Sequence, residues 1–334
     1  MKIVAHGNDS GSKNWRLLNP FKYLRKKGIQ AYVSDRGINE EEAMWADINI
    51  IQSCTDKDGI ALLYRLQQEY GKKLVVECDD WVDLNEDSPF KKEHEKYDAR
   101  RTITRTMEVA DMVTTTTKYL ADKLKQYNDN VVVLPNYIDL NEWKLPLPKE
   151  DDKQIRIGWT GSITHVEDMK MVVEPLRRIC KEFKNVQLVM LGDPRVTELF
   201  KGMPVEGQNG VPAEVWPTKL RSLRLDIGLA PLQDNVFNRC KSNIKWIEYS
   251  IMGIPGVYAP IVYTDETNHS VHFDGTYGMI AEDAEQWYRC IKNYIICENL
   301  RRDIASRARG CIISGYTLKT NIKKWTRAYK SLTK

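Results

Sequence analysis

The stretch Ile155-Arg156-Ile157-Gly158-Trp159-Thr160-Gly161-Ser162 decides the fold. A short apolar run enters a turn of small residues, and a helical pattern starts near residue 165. Strand, tight turn and helix in that order make the repeating unit of a parallel α/β sheet, because parallel strands need a long crossover between them. The same unit recurs on both sides. Upstream, strands are expected at residues 3–5, 31–34, 48–52, 74–77, 112–115 and 131–134, with helices near 14–27, 58–70, 99–109 and 118–127. Downstream, strands are expected at 155–159, 186–191, 227–230 and 256–258, with helices near 165–183, 218–223, 243–252, 284–298 and 300–309. Residues 143–152, rich in Pro, Lys and acids, read as a linker. Two doubly wound α/β domains facing a cleft are therefore expected, over residues 1–150 and 151–315. A last helix over 316–334 places Leu318, Ile322, Trp325, Tyr329 and Leu332 on one stripe.

Length and composition agree with this. The 334 residues suffice for two domains. Hydrophobic residues at 42% and charged residues at 29% are ordinary for a globular chain and exclude a disordered or fibrous one. The formal net charge is +4, with 23 basic against 25 acidic residues over 1–150 and 27 against 21 over 151–334. That balance permits an anionic partner without demanding one. The excess gathers at Arg301, Arg302, Arg307, Arg309, Lys319, Lys323, Lys324, Arg327 and Lys330, which read as a solvated helix face or, alternatively, as a nucleic-acid or membrane contact. Seven cysteines without a Cys-x-x-Cys pair point to reduced thiols and a cytoplasmic setting. No leader is read before the first strand, and no apolar run approaches the ~20 residues of a membrane span. Any membrane contact is expected to be peripheral.

Open α/β sheets bind ligands beyond the carboxyl ends of their strands, so the loops there should carry the chemistry. The richest segment is Asn238-Arg239-Cys240-Lys241-Ser242-Asn243-Ile244-Lys245-Trp246-Ile247-Glu248, closed by Gly253-Ile254-Pro255. Ser242 suits an N-cap, Ile244, Ile247 and Ile251 recur at helical spacing, and Gly253 with Pro255 stops the helix. A helix N-terminus has free N–H groups and a positive dipole end, so it attracts phosphate, and Lys241 beside it adds charge. Lys241, Lys245 and Glu248 lie near one face, with Glu248 roughly 9 Å beyond Ser242 at 1.5 Å per residue. The arrangement suits a diphosphate at the helix tip and hydroxyls at the carboxylate. A surface helix with one salt bridge reads from the same letters.

Other loops add candidates. The segment His6–Ser12, containing Gly11, follows the first strand. Asp79 and Asp80 follow a buried-looking strand, where an acid could orient or deprotonate a hydroxyl, cap the next element or pair with an arginine. Gly161 would let the backbone approach a ligand. Thr164 and Glu167 have capping-box spacing, and His165 lies in the same turn. Leu191-Gly192-Asp193-Pro194 ends another strand, where a nucleotide base could pack or a plain turn could form. His269-x-x-His272, near Asp265, Glu266 and Asp274, has a loose metal-like spacing but reads as a surface loop. No metal set is otherwise visible.

Taken in order, Gly158-Trp159-Thr160-Gly161-Ser162-x-x-His165, Leu191-Gly192-Asp193, Asp226-Ile227-Gly228-Leu229-Ala230-Pro231-Leu232, Phe237-Asn238-x-x-Lys241-Ser242-x-x-Lys245-x-x-Glu248-Tyr249 and Gly253-x-Pro255 resemble the retaining glycosyltransferases of family four, which have the GT-B fold. The subgroup acting on bacterial surface polysaccharides is the most similar. In the first half Asp79-Asp80, Ala110-Asp111-Met112-Val113, Thr117-x-Tyr119-Leu120 and Leu134-Pro135-Asn136-Tyr137-Ile138-Asp139 are compatible. The resemblance implies two Rossmann-like domains, with the last helix crossing back onto the N-terminal one. It implies that Glu248 holds ribose or donor-sugar hydroxyls and that Lys241 meets the diphosphate. Gly161 and Ser162 would line the phosphate side, and His165, Asp193, Asn238, Ser242 and Asn243 would fall on the donor side. Gly11, Asp79 and Asp80 would face the acceptor, so Asp79, Asp80, Lys241 and Glu248 form the expected catalytic set. The family's first glutamate would fall at Cys240, so its contact with the transferred sugar is not carried over.

These readings lead to a transferase that moves a sugar from a nucleoside-diphosphate sugar, UDP- or GDP-linked, to a hydroxyl. No cofactor and no metal are expected, because Lys241 and the helix terminus would stabilise the leaving diphosphate. A glycan is the default acceptor. The rival is 5-hydroxymethylcytosine in DNA, whose base would have to be flipped out. A rival of another class is a non-catalytic nucleotide-sugar-binding protein, suggested by Cys240. A dehydrogenase is disfavoured, since no Gly-x-Gly-x-x-Gly fingerprint is present.

Overall fold

A computed structural model describes residues 1–7, 11–52, 54–86, 88–144, 154–263 and 275–333. Its contacts divide the chain into two compact units. The first gathers Met1–Asp139, Arg239–Ser242 and Thr317–Lys334, and the second gathers Leu140–Asn238 and Asn243–Tyr316.

The first unit is built on six parallel strands: β1 (Lys2–Gly7), β2 (Gln30–Ser34), β3 (Ile48–Gln52), β4 (Lys73–Glu77), β5 (Met112–Thr115) and β6 (Val131–Val133). Their order is β2-β1-β3-β4-β5-β6, so the winding reverses between β1 and β3. Every residue of β3 and β5 is buried, as expected where helices cover both faces of a sheet. The helix Lys57–Tyr70 starts on the Asp56 side chain, which accepts from Gly59 N, and ends at Gly71 in the left-handed region, φ 64°. The helix expected over 14–27 begins instead with a wide π turn, Asn14–Leu18, before the α-helix Asn19–Arg25. Pro20 has no N–H to give to the Arg16 carbonyl, and the turn widens around that gap. The end of the chain rejoins this unit. Leu318 N donates to Ile138 O at 2.9 Å, and the helix Lys323–Ser331 buries Trp325 edge-on to Tyr137.

The second unit holds β7 (Ile155–Thr160), β8 (Val186–Gly192), β9 (Val205–Asn209), β10 (Ile227–Ala230), β11 (Gly256–Tyr258) and β12 (Met279–Ile280). All pair in parallel, in the order β12-β11-β10-β7-β8-β9. This is the dinucleotide-binding order, with its reversal between β7 and β10. The edge strands β9 and β12 were not expected from the sequence: β9 reads Val-Glu-Gly-Gln-Asn, and β12 is two residues long. The single helix expected over 165–183 is two, Val166–Lys170 and Val173–Glu182. Pro175 cannot donate to the Met171 carbonyl, so the helix restarts with proline in its first turn. The capping box expected from Thr164 and Glu167 does not form. Thr164 Oγ1 bonds Ser162 Oγ at 2.6 Å, and Glu167 pairs with Lys170.

Candidate functional site

In the second unit the polar groups converge beyond β7 and β10. Glu248 lies on the eight-residue helix Ile244–Ile251 and is 3% exposed. Both of its oxygens are engaged: Oε1 accepts from Trp216 Nε1 at 2.7 Å, and Oε2 accepts from Lys245 Nζ at 2.9 Å. Lys245 Nζ also reaches Thr160 Oγ1, the last residue of β7, at 3.3 Å, and lies 5.4 Å from the Trp216 ring centroid. A buried carboxylate is sustained by such charged and neutral donors, and its orientation is thereby fixed. The N-cap position belongs to Asn243, not to Ser242. The Ser242 oxygen is taken by Asn136 Nδ2 at 2.9 Å. Asn243 makes no side-chain cap, and its Nδ2 is a buried donor with no partner among the described residues.

The remaining donor-side candidates fall into two groups. His165 Nδ1 lies 2.8 Å from Asp168 Oδ2, and Asp168 Oδ1 accepts from Gln233 N and from Asn238 Nδ2, both at 2.8 Å. Asp168, which sequence reasoning passed over, is the buried hub that holds His165 and Asn238 together. Asp193 serves a turn: it caps the helix Pro194–Glu198 and pairs with Arg195, which holds its carboxyl below the usual carboxylate range. Gly161 is dictated by packing, since a Cβ there would stand 2.3 Å from the Trp159 ring. Ser162 is exposed and bonds only Thr164 among the described residues.

In the first unit Asp79 and Asp80 follow β4. Asp80 Oδ1 accepts from Lys241 Nζ at 3.2 Å, so Lys241 groups with this carboxylate within that unit. Asp79 accepts from Ser12, whose oxygen accepts in turn from Gln52 Nε2 at 3.0 Å. Burial, then the charges of Asp80 and Glu77, push Asp79 up to about 6, against the pull of Arg16 and Ser12. Gly11 is exposed, and a Cβ there would meet nothing within 4 Å. Cys240, where the first glutamate of the resemblance would fall, belongs to an apolar cluster with Cys78, Val82 and Leu120. Burial pushes its thiol up to about 12.

The sequence reading also missed Arg16. Its guanidinium is fully buried, and Nε and Nη2 meet Glu77 Oε1 and Oε2 at 2.8 and 3.2 Å. It also reaches Leu134 O and Asn136 Oδ1, while Thr114 Oγ1 donates to Glu77 Oε2 at 2.6 Å. Burial opposes the Arg16 charge, but Glu77 outweighs it and raises the pKa above the ordinary arginine value. The π turn that carries Arg16 inward was the one available sign, through Pro20. Among the described residues no group of three or more His, Cys, Asp or Glu could hold a metal ion. The His269-x-x-His272 loop lies outside the described residues. No described helix is long and apolar enough to cross a membrane.

Two Rossmann-like α/β units with these strand orders define the fold class, and solved structures share it. The chain is similar to a S. aureus TarM variant solved with fondaparinux, α-GlcNAc-glycerol and UDP, at 15% identity and TM-score 0.61 over 84% of this chain. That match covers 55% of TarM, so the chain spans about half of it. HepE from Anabaena, in complex with UDP and glucose, matches at 13% identity and TM-score 0.65, over 99% of this chain and 100% of HepE. A protein from Listeria monocytogenes assigned as a UDP-N-acetylglucosamine 2-epimerase matches at 15% identity and TM-score 0.58, over 99% of this chain and 96% of its own. No protein-family model and no curated protein sequence matches the chain.

Proposed function

We propose that the chain is a glycosyltransferase that takes a sugar from a nucleoside-diphosphate sugar and places it, with retention of configuration, on a hydroxyl of a glycan. One observation carries this reading: the buried Glu248, locked by Trp216 and Lys245 beside the last residue of β7, on a helix whose N-cap residue, Asn243, keeps an amide donor unpartnered among the described residues. A helix N-terminus offers N–H groups and a positive dipole end to a diphosphate. Asn243 Nδ2 adds a donor there, and Glu248, held by Trp216 and Lys245, receives hydroxyls of ribose or sugar on its remaining lone pairs. Lys241, two residues before Asn243, compensates the charge that builds on the diphosphate as the sugar bond breaks. With that charge met by a lysine and a helix end, activity is expected to persist in a chelator. Asp79, poised near neutrality, orients the acceptor hydroxyl. UDP in the TarM and HepE structures supports a uridine donor.

Thermal-shift screening against UDP-, GDP-, ADP- and CDP-sugars, followed by an assay for released nucleoside diphosphate and the anomer formed, tests the proposal. Stabilisation by one donor and transfer with retained configuration are expected. Stabilisation without turnover would make the chain a binding protein, the alternative that Cys240 favours. Isomerised nucleotide-sugar would assign it the chemistry of the Listeria match. Transfer confined to DNA containing 5-hydroxymethylcytosine would replace the glycan. No stabilisation by any nucleotide-sugar would end the reading.

A further inference from the structure

The helices Lys57–Tyr70 and Ala99–Val109 of the first unit leave a groove of about 410 Å³ between them. Its floor and rim differ in chemistry. Lys57, Ile60 and Tyr64 recur at helical spacing along one helix, and Arg101, Arg105 and Val109 do so along the other. The floor is apolar, yet Tyr64 stays 43% exposed and Val109 39% exposed. The rim carries three cations against one acid, Asp98. Those cations are weakly committed. Arg101 lies 4.0 Å from Asp98, and Arg105 lies 3.9 Å from Glu108, both on well-exposed side chains. Lys57 forms no ion pair among the described residues. Exposed pairs at such distances hold their partners poorly and yield to a better anion.

A groove of this kind asks for a ligand with two parts, an anionic head and an apolar stem. We propose that it seats an anionic lipid at a membrane surface, the phosphate on Lys57, Arg101 and Arg105 and an acyl segment on Ile60, Tyr64 and Val109. Nucleic acid and acidic glycans supply the charge but no aliphatic chain for the floor. A neutral apolar ligand covers the floor and leaves the cations without a counter-charge. Tyrosine, with an apolar ring and a polar tip, suits the boundary between headgroup and chain. The inference does not rest on the proposed transferase activity, because its readout is binding alone.

Co-sedimentation of the full chain with phosphatidylcholine vesicles, with and without phosphatidylglycerol, tests it. Binding is expected only to the anionic vesicles and should weaken with salt. A basic residue at an anionic surface is worth roughly a factor of five, so Arg101→Ala with Arg105→Ala should weaken binding by about 25-fold. Tyr64→Ser should weaken it further, through a component that salt does not remove. The pair Lys319→Ala with Lys330→Ala, on the C-terminal segment, should leave it nearly unchanged. An unaltered melting temperature for each variant checks the fold. Equal binding to neutral vesicles, or an equal loss from the Lys319 and Lys330 pair, would overturn the assignment. So would Tyr64→Ser without effect beside competition by DNA or an acidic polysaccharide for the same two arginines.

Discussion

The carboxylates beyond the two sheets are handled in opposite ways. In the second unit Glu248 is buried with an indole N–H and an ammonium on its two oxygens. In the first unit Asp79 is half-buried, accepts from Ser12, and sits beside two further acids, Glu77 and Asp80. Glu77 is the one stabilised there, by the fully buried Arg16. The strand orders differ as well, with reversals between β1 and β3 in one sheet and between β7 and β10 in the other. One architecture can therefore hold an acid as a fixed acceptor or leave it ready to exchange a proton. The difference lies in how many donors the neighbouring elements deliver.

The largest effect is expected from Arg16→Met. It leaves Glu77 as an uncompensated buried charge and should destabilise the first unit by about 3–5 kcal/mol, read by urea unfolding; a loss below ~1 kcal/mol would show that water reaches Glu77. Next comes Glu248→Gln, which keeps the volume and removes the charge. Turnover should fall by roughly 10²–10³-fold, the scale of losing one fixed electrostatic contact, and the unfolding midpoint should fall too, because the bonds from Trp216 and Lys245 lose their charged acceptor. Wild-type turnover would detach Glu248 from the chemistry and leave it a structural acid, erasing the contrast with Asp79. Trp216→Phe removes one donor from the same carboxylate and should cost about 1.5–3 kcal/mol, the range for hydrogen bonds to charged groups, measurable in the second unit's unfolding transition.

Asp79→Asn sharpens the other side of the comparison. Asp79 is raised to about 6 in the fold, so the native state binds its proton more tightly than the unfolded chain does. The stability this confers is fully present below pH ~4 and is lost as pH rises through ~6. The variant should therefore match wild type below pH ~4 and exceed it near pH 8, by up to ~3 kcal/mol for a two-unit shift. A constant difference across that window would assign the carboxylate an ordinary pKa. The smallest effect is expected from Ser12→Ala. Loss of a donor to the charged form should move Asp79 further upward in a carboxyl NMR titration, whereas an unchanged titration would remove Ser12 from its control.

Much of the architecture was legible because strand and helix periods are local. The ten strands expected from apolar runs are all present, the edge strands β2 and β6 among them, since each carries an apolar run of its own. β9 and β12 were not legible, because edge strands need little apolar sequence and are recruited by a neighbour's free hydrogen-bonding groups. Helix breaks at Pro20 and Pro175 were readable in principle and were passed over. The site was legible in residue type but not in partnership. Glu248 stood out by its spacing from Lys245, whereas Trp216 lies 32 positions away from it. Arg16 and Glu77 are 61 positions apart, and Asp168 and Asn238 are 70 apart. No spacing rule reaches over such separations.

The order of apolar runs and turns in the chain was enough to dictate two parallel sheets, the places where their loops emerge, and a helix carrying lysine and glutamate on one face. Folding alone decided that Lys241 would pair with Asp80, that Ser242 would serve Asn136 instead of capping, and that Cys240 would be core. Secondary structure follows from residues within a few positions of one another. The charge and partners of a buried group depend on whichever distant segments the packing brings against it, and burial makes those few partners decisive.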